Sequence, residues 1–140
     1  MTLKIKKMRD DAILPTYNLG GDAALDLYAL EDVILGLGCP MMVATGVAVA
    51  VPEGFVGLIW DRSGLSMVNG IKTLGGVIDS GYRGQVNVGL INLSEGMYSV
   101  SKGDKIAQML IQRVERVKLE EVEVLAFTER GDKGFGSSGK

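Results

Sequence analysis

Glycine punctuates this chain: 20 of its 140 residues are Gly, beside only 3 Pro. Average usage is about 7%, so this is roughly twofold enrichment. No Gly-x-y period runs through them, which excludes a collagen-like rod. Glycines scattered in this way demand many tight turns, and short apolar, β-branched runs lie between them. Residues 3–7, 24–29, 33–35, 41–51, 55–60 and 97–100 each read as a strand, the first as an edge strand because apolar and basic residues alternate in it. Residues 41–51 stop at the turn signal Pro52-Glu53-Gly54. Residues 74–78 and 85–91 read as the two arms of a hairpin around 79–84; Val86, Val88 and Leu90 share one face, Gln85, Asn87 and Gly89 the other. Residues 65–69 fit a single helical turn. The expectation is an all-β fold.

Residues 105–125 support two readings. Ile106, Met109, Leu110, Val114 and Val117 fall on a helical stripe that Asp104 could cap, whereas 118–125 ends in a strand-like alternation. Residues 129–140 hold one large apolar side chain, Phe135, and cannot build a core. The domain expected is therefore 1–128, followed by a flexible tail, 129–140.

The chain has no His and one Cys, Cys39. Zinc sites made of His and Cys, Ser-His-Asp or Cys-His catalysis, and a disulfide framework are excluded within one chain. An enzyme built on this sequence would take its acid or base from a carboxylate first, then from Lys, Tyr or Cys39. Net charge is −2, from 15 Lys and Arg against 17 Asp and Glu, which argues against a general nucleic-acid surface. The start, MTLKIKKMRDD, has no apolar leader core, and no run of about 18 apolar residues exists. A soluble, cytoplasmic protein without a membrane or nucleic-acid partner is expected, in the host cytoplasm if the source is viral.

Five segments could carry chemistry, and each has a plain structural alternative. Asp26 sits in an apolar strand; a buried carboxylate needs partners, and an Arg or a hydrated metal would serve. Arg62, Ser63 and Gly64 follow an apolar strand and could grip a phosphate, or form an ordinary strand-end turn with a solvated Arg. Asp79 could be a carboxylate general base at the mouth of a hairpin, or simply close the turn. Tyr82 could stack on a sugar or pack. Gln108 is, like Asp26, a polar group in an apolar run. In the tail, Gly134-Phe135-Gly136-Ser137-Ser138-Gly139 matches G-x-G-x-x-G by letter, but only Lys140 remains after it, so no dinucleotide-binding helix can follow. Its N–H groups, with Arg130 and Lys133, could nest an anion, or the tail could be a polar end without a role. Asn92-Leu93-Ser94 is a glycosylation sequon by letter.

The order of these segments resembles the homotrimeric all-β dUTP pyrophosphatases, the dUTPases. Residues 23–27, 62–66, 76–84, 103–110 and 130–139 correspond to that family's five motifs across nearly the whole chain. The resemblance implies a jelly-roll-like barrel or sandwich subunit, and a homotrimer whose three active sites are shared between chains. It turns 105–125 into strands. It implies that Asp79 activates the water that attacks the α-phosphorus of dUTP, leaving dUMP and pyrophosphate. Groups of Gly76, Val77, Ile78 and Asn87 would read the uracil, with Thr73 beside them, and Tyr82 would lie under the deoxyribose and exclude a 2′-hydroxyl. Arg62, Ser63, Gly64, Gln108 and Arg130 would hold the phosphates. Phe135 would cover the base, and Gly136, Ser137 and Ser138 the γ-phosphate. Asp26 would hold Mg²⁺ through water. Ala24, Ser66 and Thr73 depart from the family's usual Gly, Ala and Asn. The related dCTP deaminases carry a catalytic Glu shortly after the third motif, where this chain reads Gly89-Leu90-Ile91-Asn92. A binding or regulatory protein on the same fold is the alternative outside catalysis.

Overall fold

Two antiparallel four-stranded sheets carry the alternation of the sequence in a computed structural model, which describes residues 1–134. In chain order the strands are β1 Lys4–Lys7, β2 Leu25–Tyr28, β3 Val33–Leu35, β4 Met41–Ala50, β5 Phe55–Trp60, β6 Ile71–Leu74, β7 Val77–Ile78, β8 Gln85–Asn92, β9 Tyr98–Val100 and β10 Lys105–Arg113. One sheet runs β1-β4-β8-β6, the other β2-β10-β5-β7, and β3 pairs with β9 in a small ribbon. Chain neighbours are seldom sheet neighbours, as in a jelly-roll-like sandwich. β1 is an edge strand, as its basic alternation predicts. A single π-helical turn, Gly64–Val68, interrupts the strands where one helical turn is expected.

The core lies between the sheets. Val43, Val49, Val86, Val88 and Leu90 face Leu25, Leu27, Ile59 and Met109, and Leu35 and Val100 of the ribbon close one end. Each such side chain contributes about 1.5–3 kcal/mol when fully buried. β8 shows the period most plainly: Val86, Val88, Leu90 and Asn92 are buried, and the residues between them are half-buried. Asn92 is no free acceptor site. Its Nδ2 donates to the carbonyls of Leu35 (3.0 Å) and Gly96 (2.7 Å), and its Oδ1 accepts from Ser94 N (2.9 Å) and Oγ (2.7 Å).

Two expectations are corrected. Of residues 74–78 only Leu74 belongs to the arm that pairs with β8, opposite Gly89. β6 pairs with β8, Thr73 opposite Leu90, whereas Val77 and Ile78 cross to the other sheet and pair with Leu58 and Gly57 of β5. The Gly75-Gly76 pair permits this crossing: both have positive φ (74° and 123°), and a Cβ at Gly76 would lie 2.7 Å from the Ile59 carbonyl oxygen. The helical stripe in 105–125 is likewise not a helix. Its first part is β10, a central strand satisfied on both edges by β2 and β5. After Arg113 the chain forms no further strand among the described residues, so the implied strands through 125 are only partly present. There Val124, Leu125 and Phe127 are 82%, 84% and 94% exposed. Among the described residues no helix is long and apolar enough to cross a membrane.

Candidate active site

A cleft of about 380 Å³ opens at the junction of β2, β10 and the end of β5, and Asp26, Arg62, Ser63, Gly64 and Gln108 all line it. Asp26, on β2 between Leu25 and Leu27, is 7% exposed. Burial of a bare carboxylate would be prohibitive, so two cations meet it. Arg62 Nε lies 3.0 Å from Oδ1, and Lys105 Nζ 2.7 Å from Oδ2. Lys105 starts β10, where the Gly103 turn delivers it beside Tyr28; its Nζ also donates to Asn18 Oδ1 at 3.2 Å. Sequence reasoning missed Lys105 as a site residue. The available signal was a cation three positions before Gln108 in a strand that must pair with the one carrying Asp26.

Arg62 leads into the π-helical turn. Its carbonyl accepts from Ser66 N (2.9 Å) and Ser66 Oγ (3.2 Å), so the hydroxyl that departs from the usual alanine braces the Arg62 backbone. Ser63 stands at the start of the turn without a side-chain capping bond, and a Cβ at Gly64 would meet nothing within 4 Å. The turn therefore presents a hydroxyl and early N–H groups to the cleft. Gln108 donates from Nε2 to the Asp61 carbonyl at 2.7 Å. A guanidinium, a hydroxyl, an amide and N–H donors line this one recess, with the Lys105 ammonium behind Asp26, a donor set suited to an anion.

The donor set bears on metal as well. Among the described residues no group of three or more His, Cys, Asp or Glu side chains could grip a metal directly. Each Asp26 oxygen has one charged partner and so keeps a further lone pair for a metal-bound water. The residues fit a hydrated Mg²⁺ carried in on phosphate oxygens, and they do not fit a protein-ligated ion.

Asp79 lies elsewhere. It is exposed on a second cleft of about 970 Å³, with Val77, Ser80, Gly81, Arg83 and Phe55, and this cleft shares no lining residue with the first. Its carbonyl accepts from Tyr82 N (3.0 Å), closing the turn. Tyr82 Oη donates to the Gln85 carbonyl (2.8 Å), which lays the ring over Gly84; a Cβ there would come within 2.5 Å of the phenol oxygen. Asn87 Oδ1 accepts from Gln85 Nε2 (2.8 Å). Gly76 O accepts from Ile59 N (2.7 Å), pinning the loop that carries Val77 and Ile78. Thr73 donates to Asp61, another residue sequence reasoning passed over.

The single chain thus gathers Asp26, Arg62, Ser63, Gly64 and Gln108 in one cleft, and places Asp79, Val77 and their loop on another. Arg130 lies apart from both, in the exposed segment, its Nε donating to the Lys133 carbonyl (3.4 Å). Phe135, Gly136, Ser137 and Ser138 fall outside the described residues.

Comparison with known proteins gives the arrangement a context. The dUTPase family profile matches residues 10–139. A deoxyuridine 5′-triphosphate nucleotidohydrolase of Clostridium tetani is 45% identical over 99% of this chain and 97% of its own length. One from Mycobacterium tuberculosis is 49% identical over 99% and 95%. Among solved structures, a mutant dUTPase of Staphylococcus bacteriophage 80alpha with dUpNHpp superimposes with a TM-score of 0.94 at 32% identity, covering 99% of both chains. A mutant dUTPase from phage phi11 of S. aureus, described with the coordination of a structural Mg(II) ion, gives 0.83 at 29% identity over 91% of this chain and 100% of that one.

Proposed function

The chain belongs to the dUTPase family and hydrolyses dUTP, and from that premise we propose that Asp79 activates the attacking water and that dUMP and pyrophosphate leave a site shared between chains. The observation that carries this reading is the division of labour between the clefts: one holds cations and N–H donors around a buried carboxylate, the other an exposed carboxylate on a pinned loop.

In the proposed reaction Arg62, Ser63, Gly64 and Gln108 bind the phosphate chain, and the donors of this cleft meet the charge that grows on the leaving pyrophosphate. Asp26, balanced on its other oxygen by Lys105, keeps Arg62 from swinging away when no phosphate is bound. Mg²⁺, held on phosphate oxygens and through water by Asp26, would supply further charge neutralisation there. The loop Gly76–Ile78, with Thr73 and Asn87, reads the uracil edge, and Tyr82 fills the space a 2′-hydroxyl would need. Asp79 takes a proton from water, the role its exposure permits. Arg130, Phe135, Gly136, Ser137 and Ser138 close over the nucleotide.

Because the clefts share no lining residue, Asp79 of one copy would complete the phosphate cleft of another. The exposed Val124, Leu125 and Phe127 support docking of residues 114–134 on a further copy, and a homotrimer satisfies both needs. Purified protein incubated with Mg²⁺ and dUTP, dCTP or UTP should yield dUMP and pyrophosphate from dUTP alone; equal turnover of UTP would reject the role of Tyr82. Mixing tests the sharing. Asp79→Asn chains combined with chains ending at residue 128 are each inactive alone. Exchange of subunits should restore part of the activity, and no recovery after verified exchange would place the tail on its own chain's Asp79.

A further inference from the structure

The charged group best connected to both halves of the proposed site is one with no role in the reaction as described so far. Asp61 lies between Trp60, the last residue of β5, and Arg62. Its Oδ1 accepts from Thr73 N (2.7 Å) and Thr73 Oγ1 (2.5 Å), and its Oδ2 from Lys72 Nζ (2.6 Å). Its main-chain carbonyl accepts from Gln108 Nε2 (2.7 Å). Two residues earlier, Ile59 N donates to Gly76 O (2.7 Å). The end of β5 therefore clamps the β6–β7 crossing at two points, Thr73 and Gly76, and the first clamp is made by a side chain. The Asp61 side chain is 19% exposed, which keeps these bonds away from competing water, whereas Lys72 is half exposed.

We propose that Asp61 is a positioning residue that presents Thr73 and the Gly75-Gly76 crossing to the pyrimidine, while its main chain independently braces Gln108 for the phosphates. This rests on the reading of Thr73 as a base contact and Gln108 as a phosphate contact. The two connections use different atoms. Replacing the side chain removes the Thr73 anchor and leaves the carbonyl that holds Gln108. The Thr73 hydroxyl donates its proton to the carboxylate, so the anchor fixes the strand end and the polarity of the hydroxyl together: Thr73 Oγ1 meets the substrate as an acceptor only. A residue with a merely architectural role would weaken both halves of the substrate alike, or neither.

The test separates the halves in the full-length protein with Mg²⁺ present, using dUMP as the probe of the base half and tripolyphosphate as the probe of the phosphate half, each as an inhibitor of dUTP hydrolysis. Asp61→Ala should weaken dUMP about 10-fold, leave tripolyphosphate within about 2-fold, and raise KM more than it lowers kcat. Asp61→Asn keeps an acceptor oxygen for Thr73 and should restore dUMP affinity to within about 3-fold of the parent. If Asp61→Ala does not fold, Asp61→Ser, polar but too short to reach Thr73, should give the same split. Thr73→Val should weaken dUMP, and adding it to Asp61→Ala should cost less than the product of the two single effects. Unchanged dUMP affinity in Asp61→Ala, or equal loss of dUMP and tripolyphosphate, overturns the proposal alone. Unchanged dUMP affinity in Thr73→Val overturns the reading of Thr73 and the proposal with it.

Discussion

The two clefts are built on opposite plans. In the Asp26 cleft every charged group already has a partner: the carboxylate holds Arg62 and Lys105, and Gln108 is held by a main-chain carbonyl. The Asp79 cleft keeps its carboxylate exposed and puts its order into the backbone, through Gly76, the closed turn at Tyr82 and the crossing to β5. The difference suits the roles proposed for the two clefts. A site for a polyanion gains from fixed positive charge whose repulsion is balanced beforehand, which a buried carboxylate accomplishes. A base that must take a proton from water gains from solvent contact and a stiff mount.

The largest expected effect would break this comparison outright. Asp79→Asn keeps shape and backbone, and turnover should fall by about 10²–10⁴-fold, roughly 3–5 kcal/mol of transition-state stabilisation, with nucleotide binding retained. A loss below about tenfold would remove Asp79 from the role of base. Next is Asp26→Ala, which leaves Arg62 and Lys105 facing each other without their counter-charge. Breaking a buried pair costs about 3–5 kcal/mol, and the part-exposure of both cations reduces this to about 2–3 in a urea titration. Should stability stay put, the cleft is not charge-balanced as described.

Gly76→Ala attacks the other plan. The new methyl would meet the Ile59 carbonyl at 2.7 Å in a backbone conformation of φ 123°, strain of about 1–3 kcal/mol. β7 should detach from β5, raising KM for dUTP while tripolyphosphate inhibition is spared. Parallel loss of both would mean the clefts are mechanically one.

The smallest effect is with pH. Burial pushes the Asp61 carboxyl up, but the hydrogen bonds from Lys72 and Thr73 outweigh it and hold the group below its ordinary 3.8. A depressed folded value means that Asp61 stabilises the fold fully above about pH 4 and loses that contribution as pH falls through the folded value. Thermal midpoints measured from pH 6 down to pH 3 should fall less steeply for Asp61→Asn than for the parent; identical slopes would deny the anchor any charge component.

Much of this was visible in the letters alone, for identifiable reasons. β8 announces itself because its buried face is strictly alternate. Asp26 announces itself because a carboxylate between two leucines requires a counter-charge, and an Arg is one of the two kinds of partner the sequence suggested, though not which one. The crossing at Gly75-Gly76 stayed hidden because pairing with β5 depends on a rotation between sheets, which local alternation does not encode. In β10, Ile106, Met109 and Leu110 satisfy a helical period by coincidence of spacing, and only the strands on either side decide against it. Lys105 and Asp61 were missed because their partners lie 79 and 12 positions away.

Asn92 carries a last consequence, for how the protein can be made. Its amide is 0% exposed, with four hydrogen bonds tying the end of β8 to Leu35 and the 94–96 turn. Yet Asn92-Leu93-Ser94 is a valid acceptor sequence for a secretory oligosaccharide transferase, which acts on chains before they fold. A sugar attached at that stage would replace one of the two amide N–H donors that bond Leu35 and Gly96, and it would have to be accommodated where no solvent reaches. Routed through a secretory pathway, the same sequence would offer its acceptor asparagine at a position the folded protein buries completely.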